Sequence, residues 1–350
     1  MFELRTLLPT DPGWLQSLCD VRHDLYHLPA YIQAEDAFRG DQSQLFVVRD
    51  SNAALLVPLT LRELPGDGEG LDATSPYGYP GPLATPGATA EWLDGAIQWL
   101  FDNLREMGVV SLFLRFHPLL GVPAMVFQSQ GTIVEQGQTV AVPLRRPFED
   151  IRAAMRKGNR YDIRKALQRG QVAKQDSEWA HFEAFLAIYE ETMVRVGATS
   201  QYFFSRQYFE RLRDDLSSNV TLWTTQIGGE VAAASLITEC DGIVQYHLSG
   251  TSEAFIHEYP TKVLLDRAIA WANERGNRTF HLGGGLGGQE DSLFRFKSGF
   301  SKQQQPFFTA RIIINERRYK ALIEEWEEAS GQPAQSVTGF FPQYRRPIRI

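Results

Sequence analysis

The chain has two cysteines in 350 residues, Cys19 and Cys240, and no CxxC spacing around either. That excludes a disulfide-stapled scaffold, fits a reducing cytoplasm, and leaves both thiols to be read as small buried hydrophobes. The seven histidines are read as single residues, so no metal site is expected. Long apolar runs are also missing. The longest uncharged stretch worth testing, 116–134, is broken by Pro118, Pro123 and Gln128–Ser129–Gln130, so no membrane span is expected. The first residues, MFELRTLLPTDPGW, lack a basic segment followed by an apolar one, and no signal peptide is expected. Net charge is −7, which argues against a general nucleic-acid coat protein while leaving room for a local basic patch. The 29 glycines and 18 prolines follow no G-X-Y period, which excludes collagen.

What is present is an ordinary globular composition, 43% apolar and 22% charged. At about 150 residues per domain the length suggests two domains. Residues 44–62 read as two strands joined by a turn at Asp50-Ser51-Asn52, and 71–83 as a loop dense in glycine and proline. Residues 89–107 read as a helix, with Trp92, Ile97, Leu100, Phe101 and Leu104 at helical spacing and Gly108 as its stop, followed by a buried strand over 109–116. The second half repeats that order. Helices are expected over 181–195 and 206–216, and strands over 220–227 and 231–239 around the Gly228-Gly229 turn. A third strand follows over 243–249, then a helix from Pro260 to Arg275, a strand over 279–283, a strand over 307–314 and a helix over 316–329. The halves match in order only; no residue-level repeat is visible. The expected domains are 1–142 and 143–350, the second opening with a basic helical linker over 145–175.

Residues 151–175 carry eight cations against one acid, Asp162. Arg152, Arg156, Arg160 and Arg164 recur every four residues, which places them on one face of a helix, with Ile151, Met155, Ile163 and Leu167 available to pack opposite. Arg156, Lys157, Arg160 and Arg164 are therefore candidate phosphate or RNA contacts; a solvated face paired with acids elsewhere is the plain alternative. The tail YRRPIRI (344–350) is a second, weaker basic site. Gly283, Gly285 and Gly288 fit GxGxxG after a strand, yet no long helix, strand and ribose-binding acid follow, so a dinucleotide site is not expected. A turn that lets backbone approach a ligand fits better.

Six segments, taken together and in order, resemble the Fem-type (FemAB-like) branch of the GNAT acyltransferase superfamily, including the BioF2-like acetyltransferases. They are HDLYHLPAY (23–31), SPYGYPGPL (75–83), RKGNRYDIRKALQRG (156–170), YEETMVRVGA (189–198), YHLSGTS (246–252) and FHLGGGLGGQEDSLFRFKSGFS (280–301). The resemblance implies an α/β fold of tandem GNAT-like domains, mixed central sheets flanked by helices, with a substrate cleft between them. It implies acyl transfer to an amine, with aminoacyl-tRNA or acetyl-CoA as donor co-substrate, no tightly bound cofactor, and a small-molecule or nucleotide-linked acceptor. The loop over 249–262, SGTSEAFIHEYPTK, lacks the Arg/Gln-x-x-Gly-x-Gly/Ala pattern with which classical GNAT enzymes hold the CoA pyrophosphate. No heptad-bearing insert of the kind found in Gram-positive cell-wall enzymes is present.

By the same resemblance Lys297 stabilises the oxyanion or holds the donor, and Phe296 lines the cleft; a lysine lying over the aromatics Phe294, Phe296 and Phe300 is the structural alternative. Thr192, Arg195, Tyr202, Tyr246 and Tyr77 are implied as substrate contacts, with Gly283, Gly284 and Gly285 forming the approach. For Arg195 a cation at a helix C-terminus is the competing reading. His247 is the candidate base, with His281, Glu290 and Asp291 as alternatives. Regular strand alternation puts Tyr246 and His247 on opposite faces, so only one of them is expected to face the site. The expected function is aminoacyl or acyl transfer to an amine of a cell-envelope or polysaccharide precursor. Acetyl-CoA-dependent N-acetylation and a non-catalytic module binding a nucleotide-sugar or RNA are the alternatives.

Overall fold

Strand β1 (Glu3–Leu7) is an edge strand that pairs antiparallel with β2 (Gln42–Arg49) across helices α1 (Pro12–Leu18) and α2 (Pro29–Arg39). The turn after β2 forms on Asp50, whose carboxylate accepts the N–H groups of Asn52 (2.8 Å) and Ala53 (3.1 Å), and returns the chain as β3 (Ala54–Glu63). This computed structural model describes residues 1–66, 69–334 and 339–348. Two units are distinguished: Met1–Gln136 with Pro306–Ile350, and Gly137–Gln305.

In the first unit, β4 (Leu71–Thr74) and the short β5 (Leu83–Ala84) both pair with β3. Helix α3 (Ala90–Glu106) is capped by Thr89, whose hydroxyl accepts the Trp92 N–H, and buries Leu93, Ala96, Ile97, Leu100, Phe101 and Leu104 on one face. It crosses over to β6 (Val109–Arg115), which lies parallel to β4. Under the loops, His117 Nε2–H donates to Asp24 (2.9 Å) while its Nδ1 accepts the Leu119 N–H (3.1 Å). His27 accepts the Asp24 N–H at Nδ1 (3.1 Å) and donates from Nε2 to Gly81 O (3.1 Å). Three segments distant in sequence are thereby pinned together in full burial.

The second unit opens with β7 (Thr132–Pro143), helices α4 (Phe148–Ala154) and α5 (Lys157–Gln168), and strand β8 (Val172–Asp176). Helices α6 (Phe182–Arg195) and α7 (Arg206–Asp215) lead to the meander β9 (Val220–Ile227), β10 (Glu230–Cys240) and β11 (Ile243–Thr251). Helix α8 (Pro260–Glu274) crosses to β12 (Thr279–Gly283), which is parallel to β11 and antiparallel to the Val140–Pro143 part of β7. Helix α9 (Ser292–Lys297) follows. Its core joins Leu264, Leu265, Ala268 and Ile269 of α8 to Ile151, Met155 and Ile163 from the basic segment.

Both units thus repeat one plan: a strand, two helices, an antiparallel meander, a long helix, and a strand parallel to the last strand of the meander. The class is α/β with mixed sheets flanked by helices. The chain supplies the sixth strand of each sheet out of turn. The segment after β6 is β7, most of which belongs to the second unit, while β13 (Gln304–Ile313) returns to pair antiparallel with β6.

Five expectations need correction. The 71–83 segment contains β4, because Leu71–Thr74 has both β3 and β6 to pair with. The C-terminal strand and helix, placed with the second domain, pack on the first unit: Tyr319, Leu322 and Trp326 of α10 (Glu316–Ser330) close against Leu64, Val110 and Tyr344. The 152/156/160/164 series does not share one helix face, since Met155 and Arg156 are extended and divide α4 from α5. Cys19 is exposed, at the end of α1, and only Cys240 is buried. The basic tail is largely committed: Arg345 pairs with buried Asp72 and Arg346 lies over the Trp326 ring, while Arg349 and Ile350 fall outside the described residues. Among the described residues no helix is long and apolar enough to cross a membrane, and no group of His, Cys, Asp and Glu can hold a metal ion. His23 and His27 are spaced HxxxH in sequence, but both ring nitrogens of His27 are already bonded within the fold.

Candidate active site

Strands β11 and β12 pair only from Ile243/Thr279 to Gln245/His281, after which their paired register ends. Beyond that point β11 continues through Tyr246 and His247 to Thr251, and β12 ends in Gly283-Gly284-Gly285. In open α/β sheets, ligands bind at the carboxyl ends of parallel strands where the topology switches. Tyr246, His247 and the three glycines all belong to that end of the pair.

The expectation that Tyr246 and His247 take opposite faces assumed a regular strand. Opposite Ile237 stands Tyr246 and opposite Leu236 stands Leu248, so His247 is the extra residue of a β-bulge. Both side chains are half-buried. Burial pushes the Tyr246 hydroxyl up to about 12, against a hydrogen bond from Ser249 that pulls it down. His281 is fully buried and bonded to Gln245 (2.6 Å) within the sheet, which leaves it a structural residue.

The glycine turn folds on Asp291. A Cβ on Gly285 would fall 2.0 Å from Gln289 O and 2.4 Å from Asp291 Oδ1, so only glycine lets the turn close. Asp291 then accepts the N–H groups of Leu286 (2.9 Å) and Phe294 (2.8 Å), capping α9. Burial pushes the Asp291 carboxyl up, but these amides, that of Leu293 and the Lys297 charge together hold it below the usual range. A carboxylate so occupied is an anchor and not a base. Helix α9 carries Phe296, edge-on to Phe300 with ring centroids 5.5 Å apart, and Lys297, whose Nζ donates to Gly284 O at 2.7 Å. Lys297 is 8% exposed, and desolvation lowers its pKa to about 8, the Asp291 charge opposing the shift. A buried cation beside a backbone-lined turn can stabilise an oxyanion.

Thr192 and Arg195 lie at the far end of β11. Thr192 Oγ1 accepts the Thr251 N–H (3.0 Å), and Arg195 donates to Thr251 O (2.9 Å) and to Thr192 Oγ1 (3.2 Å). The pair fastens α6 to the strand. Gly250 lets the helix approach there, since a Cβ would sit 2.5 Å from Ile188 O. Tyr202 ends a short 3-10 turn, where its carbonyl accepts the Tyr189 hydroxyl (2.8 Å). Tyr77 belongs to the first unit, with the Arg39 guanidinium 5.3 Å above its ring.

Of the basic residues, Arg152 is bound to buried Asp266 of α8 (Nε to Oδ1, 2.9 Å). Lys157, Arg160 and Arg164 are exposed on α5, and Arg156 stands at its N-cap. The start of α8 is occupied by the protein itself: Lys262 pairs with Asp162 at 2.6 Å, Glu258 with Arg169 at 2.9 Å, and the capping residue is Tyr259 in left-handed backbone (φ 56°). Asn159 was passed over in the sequence; its place in the third position of α5, inside the quoted 156–170 segment, was the signal available.

Residues 153–298 match the family described as acetyltransferase (GNAT) domain. No curated protein matches the chain. Among solved structures, FemX aligns with a TM-score of 0.69 at 13% identity, over 91% of this chain and 99% of that one. A conserved protein of unknown function from Bacteroides thetaiotaomicron aligns with a TM-score of 0.57 at 11% identity, over 89% and 100%. The C-terminal domain (DUF2156) from Agrobacterium fabrum described as that of a lysylphosphatidylglycerol synthetase aligns at 0.53 and 12%, over 85% and 89%. At these identities the likeness is one of fold. Residues 153–298 of this chain are thus similar to the acetyltransferase (GNAT) domain family, and its fold is similar to that of FemX.

Proposed function

We propose that the chain is an N-acyltransferase that passes an aminoacyl group to an amine on a cell-envelope or polysaccharide precursor. The observation that carries this reading is Lys297, a buried ammonium held over the glycine turn at the end of the parallel pair. The acceptor nitrogen attacks the acyl carbon, a C–N bond forms, and the carbonyl electron pair moves to oxygen, where the Lys297 charge stabilises it. Collapse of that intermediate breaks the bond to the donor oxygen, which leaves as an alcohol once protonated. His247, on the bulge, receives the proton that the amine loses and returns it to the leaving oxygen. Phe296, Tyr246, Tyr202 and Gly283–Gly285 are assigned to substrate positioning, which supplies the remainder of the rate. Thr192 and Arg195 act through β11.

Aminoacyl-tRNA is favoured as donor because the start of α8, where a pyrophosphate would use helix amides, is filled by the Lys262–Asp162 pair. Acetyl-CoA is the second reading, supported by the acetyltransferase description of residues 153–298; the same steps then expel a thiolate. The test is transfer of labelled acyl groups from an aminoacyl-tRNA mixture, and separately from acetyl-CoA, to amino-bearing nucleotide-sugar and peptidyl precursors. Turnover that Lys297→Met abolishes while its melting temperature is kept supports the reading. A folded protein that turns over neither donor, or a Lys297→Met variant of full activity, overturns it, the first outcome in favour of a binding module.

A further inference from the structure

We propose that the N-terminal turn of α5 is a phosphate-binding site, built from backbone amides and the Asn159 side chain. Three observations converge there. The helix has twelve residues, its N-cap Arg156 makes no side-chain cap, and its first turn holds no acid. The first intrahelical bond is Arg160 N–H to Arg156 O, so the amides of Lys157, Gly158 and Asn159 precede the helix's own acceptors. Second, Asn159 is 6% exposed, and its Nδ2 is buried with no hydrogen-bond partner among the described residues. A side chain at the third helical position leans back toward the N-terminus. Its amide lies against Gly299, whose carbonyl holds the Arg156 N–H at 2.8 Å, so the unpartnered donor belongs to the same turn. Third, Gly158 has no backbone reason to be glycine. Its φ is not left-handed, and a Cβ there would meet nothing within 4 Å. A glycine in a first turn with open space above it admits a bulky anion to the backbone.

Arg156, Lys157 and Arg160 flank this turn and are exposed, which adds charge to a site whose geometry the amides define. The contrast with α8 is direct: that helix starts with a proline and an internal ion pair. The phosphate comes either from the phosphodiester of a nucleic acid or from the diphosphate of a nucleotide-linked molecule. Which of these arrives rests on the acyl-transfer reading; the site itself does not.

The experiment is calorimetric titration of the full chain with inorganic pyrophosphate at fixed ionic strength. Saturable binding is expected, weakened about tenfold or more by Asn159→Asp, which puts a carboxylate at the site, and by Gly158→Leu, which covers it. Both variants are expected to remain folded, which their melting curves check. Arg317→Glu, a charge change twice that of Asn159→Asp and placed on exposed α10 surface, is expected to bind normally. Absent saturation, unaltered affinity in both variants, or equal weakening by Arg317→Glu overturns the site. Displacement of pyrophosphate by deacylated tRNA but not by a nucleotide diphosphate-sugar identifies the phosphodiester, and the reverse identifies the diphosphate; displacement by neither overturns the proposal. Pyrophosphate binding without acyl transfer leaves the site standing and removes the enzyme, while Lys297-dependent transfer without pyrophosphate binding does the opposite.

Discussion

Lys297 donates its ammonium proton to the backbone carbonyl of Gly284, thirteen residues earlier and 2.7 Å away. The carbonyl is a dipole and carries no full charge, so the lysine is buried with no ion-pair partner at bonding distance among the described residues, and its pKa falls to about 8. If the charged form stabilises the oxyanion, kcat declines as pH rises through about 8, and Lys297→Arg, which stays charged, moves that decline beyond the accessible range at a lower plateau. A pH–rate profile on any accepted donor decides it. A rate that rises through the same pH makes the neutral amine the working form and removes the oxyanion role.

Gly285→Ala and Gly158→Ala are opposite cases of one substitution. The first drives a Cβ into Gln289 O and the Asp291 carboxylate and is expected to cost about 1–3 kcal/mol, the range of overpacking. It also displaces the cap that carries α9, so the alkaline limb of the rate profile shifts with it. The second places a methyl in open space in a helix and is expected to add up to about 1 kcal/mol. Urea melts of both variants at pH 7 are the measurement, and equal effects would mean that the Gly285 turn relaxes freely.

The order of elements was legible because it is written in short-range signals: Gly228-Gly229 for a hairpin, Pro260 at the start of a helix, helical spacing from Trp92 to Leu104. Elements stabilised by distant partners were not. Strand β4 has four residues and exists because β3 and β6 flank it, and β13 reads as a strand without revealing which sheet it joins. At the site, the glycine run stood out by type and the Phe296-Lys297 pair by the family resemblance. The bulge at His247 did not, because an extra residue in one strand is visible only against its partner's register. The four-residue arginine period was real in sequence, but Met155-Arg156 breaks the helix, and a break without proline or glycine leaves no local mark.

His27 predicts the acid limit of the first unit. Full burial, with the neighbouring His117 next in size, lowers its pKa to about 3, while Asp24 and the Gly81 carbonyl pull the other way. The group is neutral when folded and protonates near 6.5 when unfolded, so its contribution to stability is fully present above that pH. It is lost progressively as pH falls toward 3, on the order of 4 kcal/mol over the window. His27→Gln, which can keep both hydrogen bonds, is expected to flatten the difference between urea melts at pH 7 and pH 4.5. A parent protein equally stable at both would show that the ring finds a way to charge in place.

Arg195 separates a clamp from a substrate contact. Its bonds run to Thr251 O and Thr192 Oγ1, with Glu191 3.8 Å away. Arg195→Ala is expected to cost about 1 kcal/mol in stability, the worth of an ordinary hydrogen bond, and to lower kcat through β11 with KM for the phosphate-bearing substrate nearly unchanged. A large rise in KM with unchanged melting would restore the substrate contact that the resemblance implies.

Arg152 is the cation of the basic segment whose role is settled by burial. Asp266 is fully buried on α8, and Arg152 is its ion-pair partner, with the Arg152 guanidinium also lying over Phe148. Arg152→Met leaves a carboxylate in the core without its cation, which costs about 3 kcal/mol, toward the low end for a broken buried pair because the arginine is partly exposed. Arg152→Met with Asp266→Leu removes both charges and is expected to recover most of that loss, since two apolar side chains replace a desolvated pair. Neither variant touches the first turn of α5, so the folded double variant is expected to bind pyrophosphate as the parent does. If the double variant is as unstable as the single one, the pair contributes through its hydrogen-bond geometry and not through cancellation of charge. If it is stable and binds no pyrophosphate, the anion site extends back to α4.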